Sequence, residues 1–244
     1  QDGSDIQQAV KFLLDLKQAI GYDGAEKLPN ASEACFSLDA ILANIKFRFQ
    51  RLQQVVPNNT NMVFQDFFRY KLSPTLDAIE SWARKNADSH DIVATEQIPR
   101  ESRTLSPSDF GFHNAVKKPD GQIVFLDFEY FGWDDPAKMI SDFLLHPAMS
   151  LPHKFRRQFV NSVAQNLSDD SLLNRAKTVY PLFGLKWCLI LLNEFLPDQL
   201  ARREFADNMI ENRDKLQDQQ LKKAQIMLKR VLDEYENFAD YYYC

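Results

Sequence analysis

Apolar residues recur at steps of three and four through most of this chain, a spacing that predicts helices. Ile6, Val10, Leu13, Leu14 and Ile20 fall near one face of a helix over residues 5–20, with Ser4 or Asp5 to cap it and Gly21 to end it. Leu38, Ile41, Leu42, Ile45, Phe49 and Leu52 repeat the pattern after Ser37 as cap, and Pro57 with the Asn-rich stretch behind it closes that helix. A third helical segment runs from about Phe64 to Lys85, kinked or restarted at Ser73-Pro74.

After residue 100 the period changes. The runs "NAV" and "QIVFLDFEY" are β-like, and Pro119-Asp120-Gly121 between them supplies hairpin turn chemistry. Helical spacing returns at Pro136, predicting helices over roughly 136–146, 153–166, 169–179, 182–196, 199–217 and 219–238. The helix around Trp187 is apolar almost all round and belongs in the core, whereas Leu221, Ala224, Leu228, Val231 and Tyr235 make a single stripe on the last one. The pattern predicts one mainly α domain over residues 1–244 with a small β insertion.

Composition narrows the class. The 244 residues are 45% hydrophobic and 26% charged, as in a folded protein, and the net charge of -5 argues against a general nucleic-acid binder. Cys35, Cys188 and Cys244 are odd in number and far apart, which argues against a disulfide framework and a CxxC zinc site. The opening "QDGSDIQQ" is no signal peptide, and its lack of an initiator Met predicts a trimmed chain. The apolar run after Trp187-Cys188 is too short for a bilayer, so the expectation is a cytoplasmic protein with no membrane contact.

Candidate chemistry gathers in residues 104–142, where seven acidic residues, a His and an Asn stand around the hairpin. Phosphoryl transfer needs an Asp to orient the acceptor hydroxyl, an Asn on a metal ion, and a second Asp bridging metal and phosphates. Asp109 and Asn114 stand five apart in "SDFGFHN", Asp127 follows at the end of "QIVFLDF", and the hairpin folds Asp127 back toward Asn114. Glu129, Asp134, Trp133 and Glu194 are candidate substrate contacts. Tyr130, Phe131 and Trp133 make either a cage for a quaternary ammonium or, more simply, a hydrophobic rim. His113 reads as a packing or hydrogen-bonding residue, and His146 and His153, flanking Pro147 and Pro152, as loop residues.

Residues 102–146 resemble the catalytic and metal motifs of the aminoglycoside phosphotransferase and choline kinase superfamily, whose fold is protein-kinase-like. "DDPAKMISD" resembles that family's Asp-Pro followed by a helix bearing another Asp, and "LDFEYFG" is closest to choline and ethanolamine kinases. The resemblance implies Asp109 as catalytic base, Asn114 and Asp127 as Mg²⁺ ligands, Asp135 and Asp142 as supports of the loop, and ATP as donor to a hydroxyl of a sugar, amino alcohol or aminoglycoside-like acceptor. The family's His two residues before the catalytic Asp is here Pro107, which stiffens the same approach by fixing its own φ. Only seven glycines occur, none as G-x-G, and Lys11 sits in a helical pattern, so the resemblance covers the C-terminal lobe without its nucleotide lobe. The rival expectation is a catalytically silent kinase-like lobe that serves as a binding module. A metal-dependent hydrolase ranks last for want of His partners.

Overall fold

The first helix starts at Asp2, earlier than the apolar pattern alone places it. The Asp2 carboxylate accepts the backbone N–H of Ser4 and Asp5, and the Asp5 carboxylate accepts the Asp2 N–H, a reciprocal cap that displaces Ser4 and Asp5 from that role. In the computed structural model, which describes residues 1–199 and 213–242, the helices are α1 (Gly3–Ala19), α2 (Leu38–Val55), α3 (Met62–Phe67), α4 (Ser73–Asp88), α5 (Pro136–Leu145), α6 (His153–Asn166), α7 (Leu172–Leu191), α8 (Arg213–Glu234) and α9 (Phe238–Tyr242). The chain is mainly helical, and the described strands form two antiparallel sheets of two strands each. No described helix is long and apolar enough to cross a membrane.

Two prolines at predicted helix breaks, Pro74 and Pro181, are absorbed into helices. Ser73 is itself helical rather than a cap, because a π-helical turn over Phe68–Leu72 joins α3 to α4 and the Ser73 N–H reaches the carbonyl of Phe68, five residues back. The widened turn makes room for a Pro74 ring that a regular helix would drive into the preceding turn. The separate helices predicted over 169–179 and 182–196 are one helix, α7, running through Pro181. Tyr180, Pro181, Leu182, Phe183 and Leu185 are all buried there, and α7 packs against α2, α4, α5 and α8. Each large apolar side chain contributes about 1.5–3 kcal/mol on burial, which together exceeds the roughly 3 kcal/mol that a proline costs inside a helix. Most of the predicted helix over 199–217 lies outside the described residues. From Arg213 the helix continues unbroken past residue 218, where a boundary was expected.

The expected hairpin is present: β2 (Ala115–Lys117) pairs with β3 (Ile123–Phe125), Ala115 opposite Phe125. The β-like run to Tyr130 is shorter than predicted, leaving the sheet after Phe125. A second sheet, not expected, pairs β1 (Thr104–Ser106) with β4 (Gly132–Asp134), Leu105 opposite Trp133. It brings the segment before Asp109 against the segment after Asp127. Gly132 permits the close packing behind it, since a Cβ there would lie 2.3 Å from the carbonyl oxygen of Pro29, and Trp133 bridges to Asn30.

α1 holds the hairpin from outside. Gln8 donates to the Gly121 carbonyl and accepts from the Ile123 N–H, and the buried Asp5 carboxylate takes the Lys117 ammonium at 2.6 Å. Below, every residue of α5 is buried. One cluster of buried apolar side chains extends from Ile6 to Tyr242, so the loop carrying Asp109 rests on a continuous core.

Candidate active site

The loop between β1 and β2 is shaped by short polar residues and anchored by aromatic ones. Ser108 adopts a left-handed backbone (φ 70°), its N–H bonded to the Ser106 hydroxyl and its own hydroxyl to the Ser32 carbonyl. The next side chain but one, Phe110, is buried against Phe12, Phe125 and Phe143. Between these fixed points stands Asp109, with nearly half its side chain exposed. At Gly111 a Cβ would come within 2.7 Å of the His113 Nδ1, so only glycine lets that imidazole lie over the loop.

Both oxygens of Asp109 are engaged. Oδ2 accepts from the Asn114 amide at 3.1 Å, and the same amide nitrogen reaches the Asp109 main-chain carbonyl at 3.1 Å. On the other side, Oδ1 lies 2.9 Å from the His113 Nε2 and 3.6 Å from the His146 Nε2. The two imidazoles stack in parallel with centroids 3.6 Å apart, and the edge of Trp187 meets His146. Burial works against a charge on Asp109, yet the His113 hydrogen bond, the nearby imidazoles and the Asn114 amide together hold its carboxyl below the usual range. Burial, reinforced by His113, pushes His146 down to about 4, so it is neutral at pH 7.

Asp109, His113 and His146 are close enough in space to share a cation. The hydrogen bonding favours a different use. The Ala148 N–H donates to the His146 Nδ1, which leaves the ring proton on Nε2, toward Asp109. The carboxylate can only accept, so the His113 Nε2 also carries its proton toward Asp109. Two N–H groups aimed at one carboxylate make a clasp for an anion, with no ring lone pair turned to a metal.

Asp127 lies beyond the end of β3 in a left-handed conformation (φ 63°) and is exposed. The Leu126 N–H bonds to the Asn114 carbonyl at 2.8 Å, so the hairpin returns Asp127 to the end of the sheet where Asn114 holds Asp109. The free oxygens of this pair, the Asn114 amide carbonyl and the Asp127 carboxylate, are the hard donors that suit Mg²⁺.

Beneath the loop, Lys138 on α5 is buried between the carboxylates of Asp134 at 2.8 Å and Asp142 at 3.2 Å, and it touches the Ser108 carbonyl at 3.4 Å. Burial alone would lower Lys138, but the two carboxylates hold it above an ordinary lysine, while burial pushes Asp134 upward. The Trp187 indole donates to Asp142 at 2.9 Å. Asp135 caps α5 through the Ala137 N–H and takes Arg175 at 3.1 Å.

Three candidate substrate contacts lie elsewhere. Trp133 is buried in β4, its indole N–H bonded to the Ala25 carbonyl under the Arg100 guanidinium, and so belongs to the core instead of a rim or cage. Asp134 is sealed under Lys138, and Glu194 is buried in the turn after α7. Tyr130 and Glu129 remain exposed on the loop after Asp127, and a hydrogen bond to the Glu129 carboxylate raises the Tyr130 phenol.

A cleft of about 160 Å³ opens beside Asp109. It is lined by Ser108, Asp109, Lys138 and Asp142 together with Glu33, Arg48, Lys186, Trp187 and Ile190. Glu33, Arg48 and Lys186 went unnoticed in the sequence because they come from a loop, α2 and α7. The one signal was a lysine inside a helix that is otherwise apolar nearly all round. The chain matches no protein-family model and no curated protein.

Proposed function

We propose that this chain is the catalytic lobe of a kinase-like small-molecule phosphotransferase, moving the terminal phosphoryl group of ATP to a hydroxyl of the acceptor. The observation that carries the reading is the Asn114 amide bonded to the carboxylate of Asp109 at the edge of a small cleft. Asp109 borders a small cleft, Asn114 is bonded to its carboxylate, and Asp127 follows the backbone bond from Leu126 to Asn114. That is the set of roles phosphoryl transfer requires, an orienting carboxylate beside a pair of hard oxygen ligands.

Asp109 stays ionised at neutral pH and is held by Asn114 and the two imidazoles, so it orients the acceptor hydroxyl and takes its proton. The hydroxyl oxygen forms a bond to phosphorus as the bond to the ADP leaving group breaks. Asn114 and Asp127 would hold Mg²⁺, which when bound neutralises charge on the phosphates. Lys138, pinned by Asp134 and Asp142, supports the loop through the Ser108 carbonyl. A cytoplasmic setting, where ATP is supplied, goes with this reading.

The second reading, a catalytically silent lobe that binds without turning over, is favoured by Pro107 in the place of the family's His. Among the described residues before Thr104 the regular elements are all helices, apart from one isolated bridge at Asn30. The deciding experiment follows transfer of γ-labelled phosphate from ATP to a panel of hydroxylated acceptors, using the full-length protein, its Asp109→Ala variant and its Pro107→His variant. Transfer that depends on Asp109 supports the enzyme. No transfer to any acceptor, with none restored by Pro107→His, leaves the silent module.

A further inference from the structure

The sheet of β1 and β4 ends before it reaches the loops that carry Asp109 and Asp127. Its register pairs Thr104 with Asp134, Leu105 with Trp133 and Ser106 with Gly132, and continued along both strands it would set Ser108 opposite Tyr130. Ser32 stands between them instead. Its carbonyl accepts the Ser108 hydroxyl at 2.8 Å, and its N–H donates to the Tyr130 carbonyl at 3.2 Å. Ser108 immediately precedes Asp109, and Tyr130 closely follows Asp127.

The inserted residue is firmly anchored. The Ala31 N–H donates to the Trp133 carbonyl at 2.9 Å and the Trp133 N–H to the Pro29 carbonyl at 2.9 Å, so residues 29–32 lie along β4. Gly132 permits this approach, since a Cβ there would stand 2.6 Å from the Ala31 nitrogen. Glu33 then turns the chain in a left-handed conformation (φ 58°) that is uncommon for a residue with a side chain, and Lys186, at 2.8 Å, and Arg48 hold its carboxylate. Ser108 is also left-handed, and each of its polar groups is bonded: the N–H to the Ser106 hydroxyl, the carbonyl to Lys138 and the hydroxyl to Ser32. Only the last of these bonds reaches the inserted segment.

We propose that Ser32 is a spacer and the Ser108 hydroxyl its latch, the two acting as positioning residues that fix the separation of Asp109 from Asp127. A direct rung between Ser108 and Tyr130 would draw the two loops to about 4.5–5.5 Å, the ordinary distance across an antiparallel pair. A residue placed between them holds them apart by roughly one further strand width, about 4.7–4.9 Å. On the hairpin side, the Leu126 N–H bonded to the Asn114 carbonyl already ties the same two loops. A tie on each side leaves the two carboxylates little freedom to drift, and displacement of reacting groups by as little as about 1 Å slows catalysis markedly. That the separation serves phosphoryl transfer rests on the proposed function; the spacer itself does not.

Amide hydrogen exchange and steady-state kinetics on the full-length protein test this with Ser108→Ala and Ser108→Gly. Both remove the hydroxyl, but glycine suits the φ of 70° and alanine does not, so the pair separates loss of the latch from backbone strain. Exchange of the Ser32 amide should be about tenfold faster in both variants, because the segment has lost one of its bonds. Both should lower kcat for phosphoryl transfer about tenfold or more and leave the acceptor KM little changed, since misplaced groups slow the chemical step without weakening binding. The inference is overturned if Ser32 exchange is unchanged in both variants, if the losses appear in Ser108→Ala alone, or if both variants transfer phosphate at the wild-type rate. The last of these outcomes leaves the phosphotransferase reading intact. Faster Ser32 exchange in both variants, with no transfer by the wild-type protein, removes that reading and leaves the spacer.

Discussion

The Asn114 side-chain amide is bonded twice to Asp109, at 3.1 Å to the carboxylate and at 3.1 Å to the main-chain carbonyl five residues back. This pair closes the β1–β2 loop on itself. Asn114→Ala should cost about 1–2 kcal/mol in urea-unfolding experiments, since each lost bond contributes on the order of 1 kcal/mol. It should also raise the Asp109 pKa, because the amide is one of the groups that stabilise the ionised form. Carbon NMR of the Asp109 carboxyl reads that shift.

Asp109 and Asp127 should fail in different ways. Asp109→Ala should lower phosphoryl transfer by roughly 10²–10⁴-fold, the usual size of a general-base contribution. Asp127→Ala should instead remove the Mg²⁺ dependence of nucleotide binding, because it deletes one of the two residues proposed to hold the ion. Nucleotide titrations with and without Mg²⁺ separate the two, and the same defect in both variants would contradict the assigned roles.

The triad below the loop should be sensitive to loss of its cation. Lys138→Met leaves Asp134 and Asp142 buried together with nothing between them, and breaking a buried pair costs about 3–5 kcal/mol. Chemical denaturation should show a loss of that order. Trp187→Phe, which removes one bond to Asp142, should cost far less, about 1 kcal/mol.

His146 makes stability depend on pH. Its pKa is about 4 in the folded protein against 6.5 in the unfolded chain, so below 6.5 the unfolded state binds the extra proton. The stability associated with this ring is complete above pH 6.5 and is lost as pH falls toward 4. The full shift would be worth about 3 kcal/mol; partial contact with water brings the expected effect nearer to about 1–2 kcal/mol. His146→Gln should flatten the stability profile between pH 6.5 and 4, as measured by thermal melts across that range. Asp109, also lowered, contributes a loss in the same direction at more acid pH.

Local chemistry determined much of this protein. The apolar spacing of α1, α2, α5 and α6 reports helices because each buries one face or more against the core, and Pro119-Asp120-Gly121 reports the β2–β3 turn because few other residues suit it. The spacing of Asp109 and Asn114 also lies in the sequence, since a short loop is enough to bring amide and carboxylate together.

Tertiary structure decided whatever depends on distant partners. Pro181 stays inside α7 because four neighbouring helices bury its surroundings, a gain that no local pattern contains. β1 and β4 become strands only by pairing with each other across the whole β2–β3 hairpin, and the register of Ser106 opposite Gly132 is set by that long-range contact. The charges of the cleft were hidden for the same reason. Glu33, Arg48 and Lys186 stand far apart in the chain, and nothing in the residues around any one of them specifies the other two. Helix spacing and turn chemistry act over a few residues and can be read in order along the chain. Burial, strand pairing and charge compensation act between segments that only the folded core brings together.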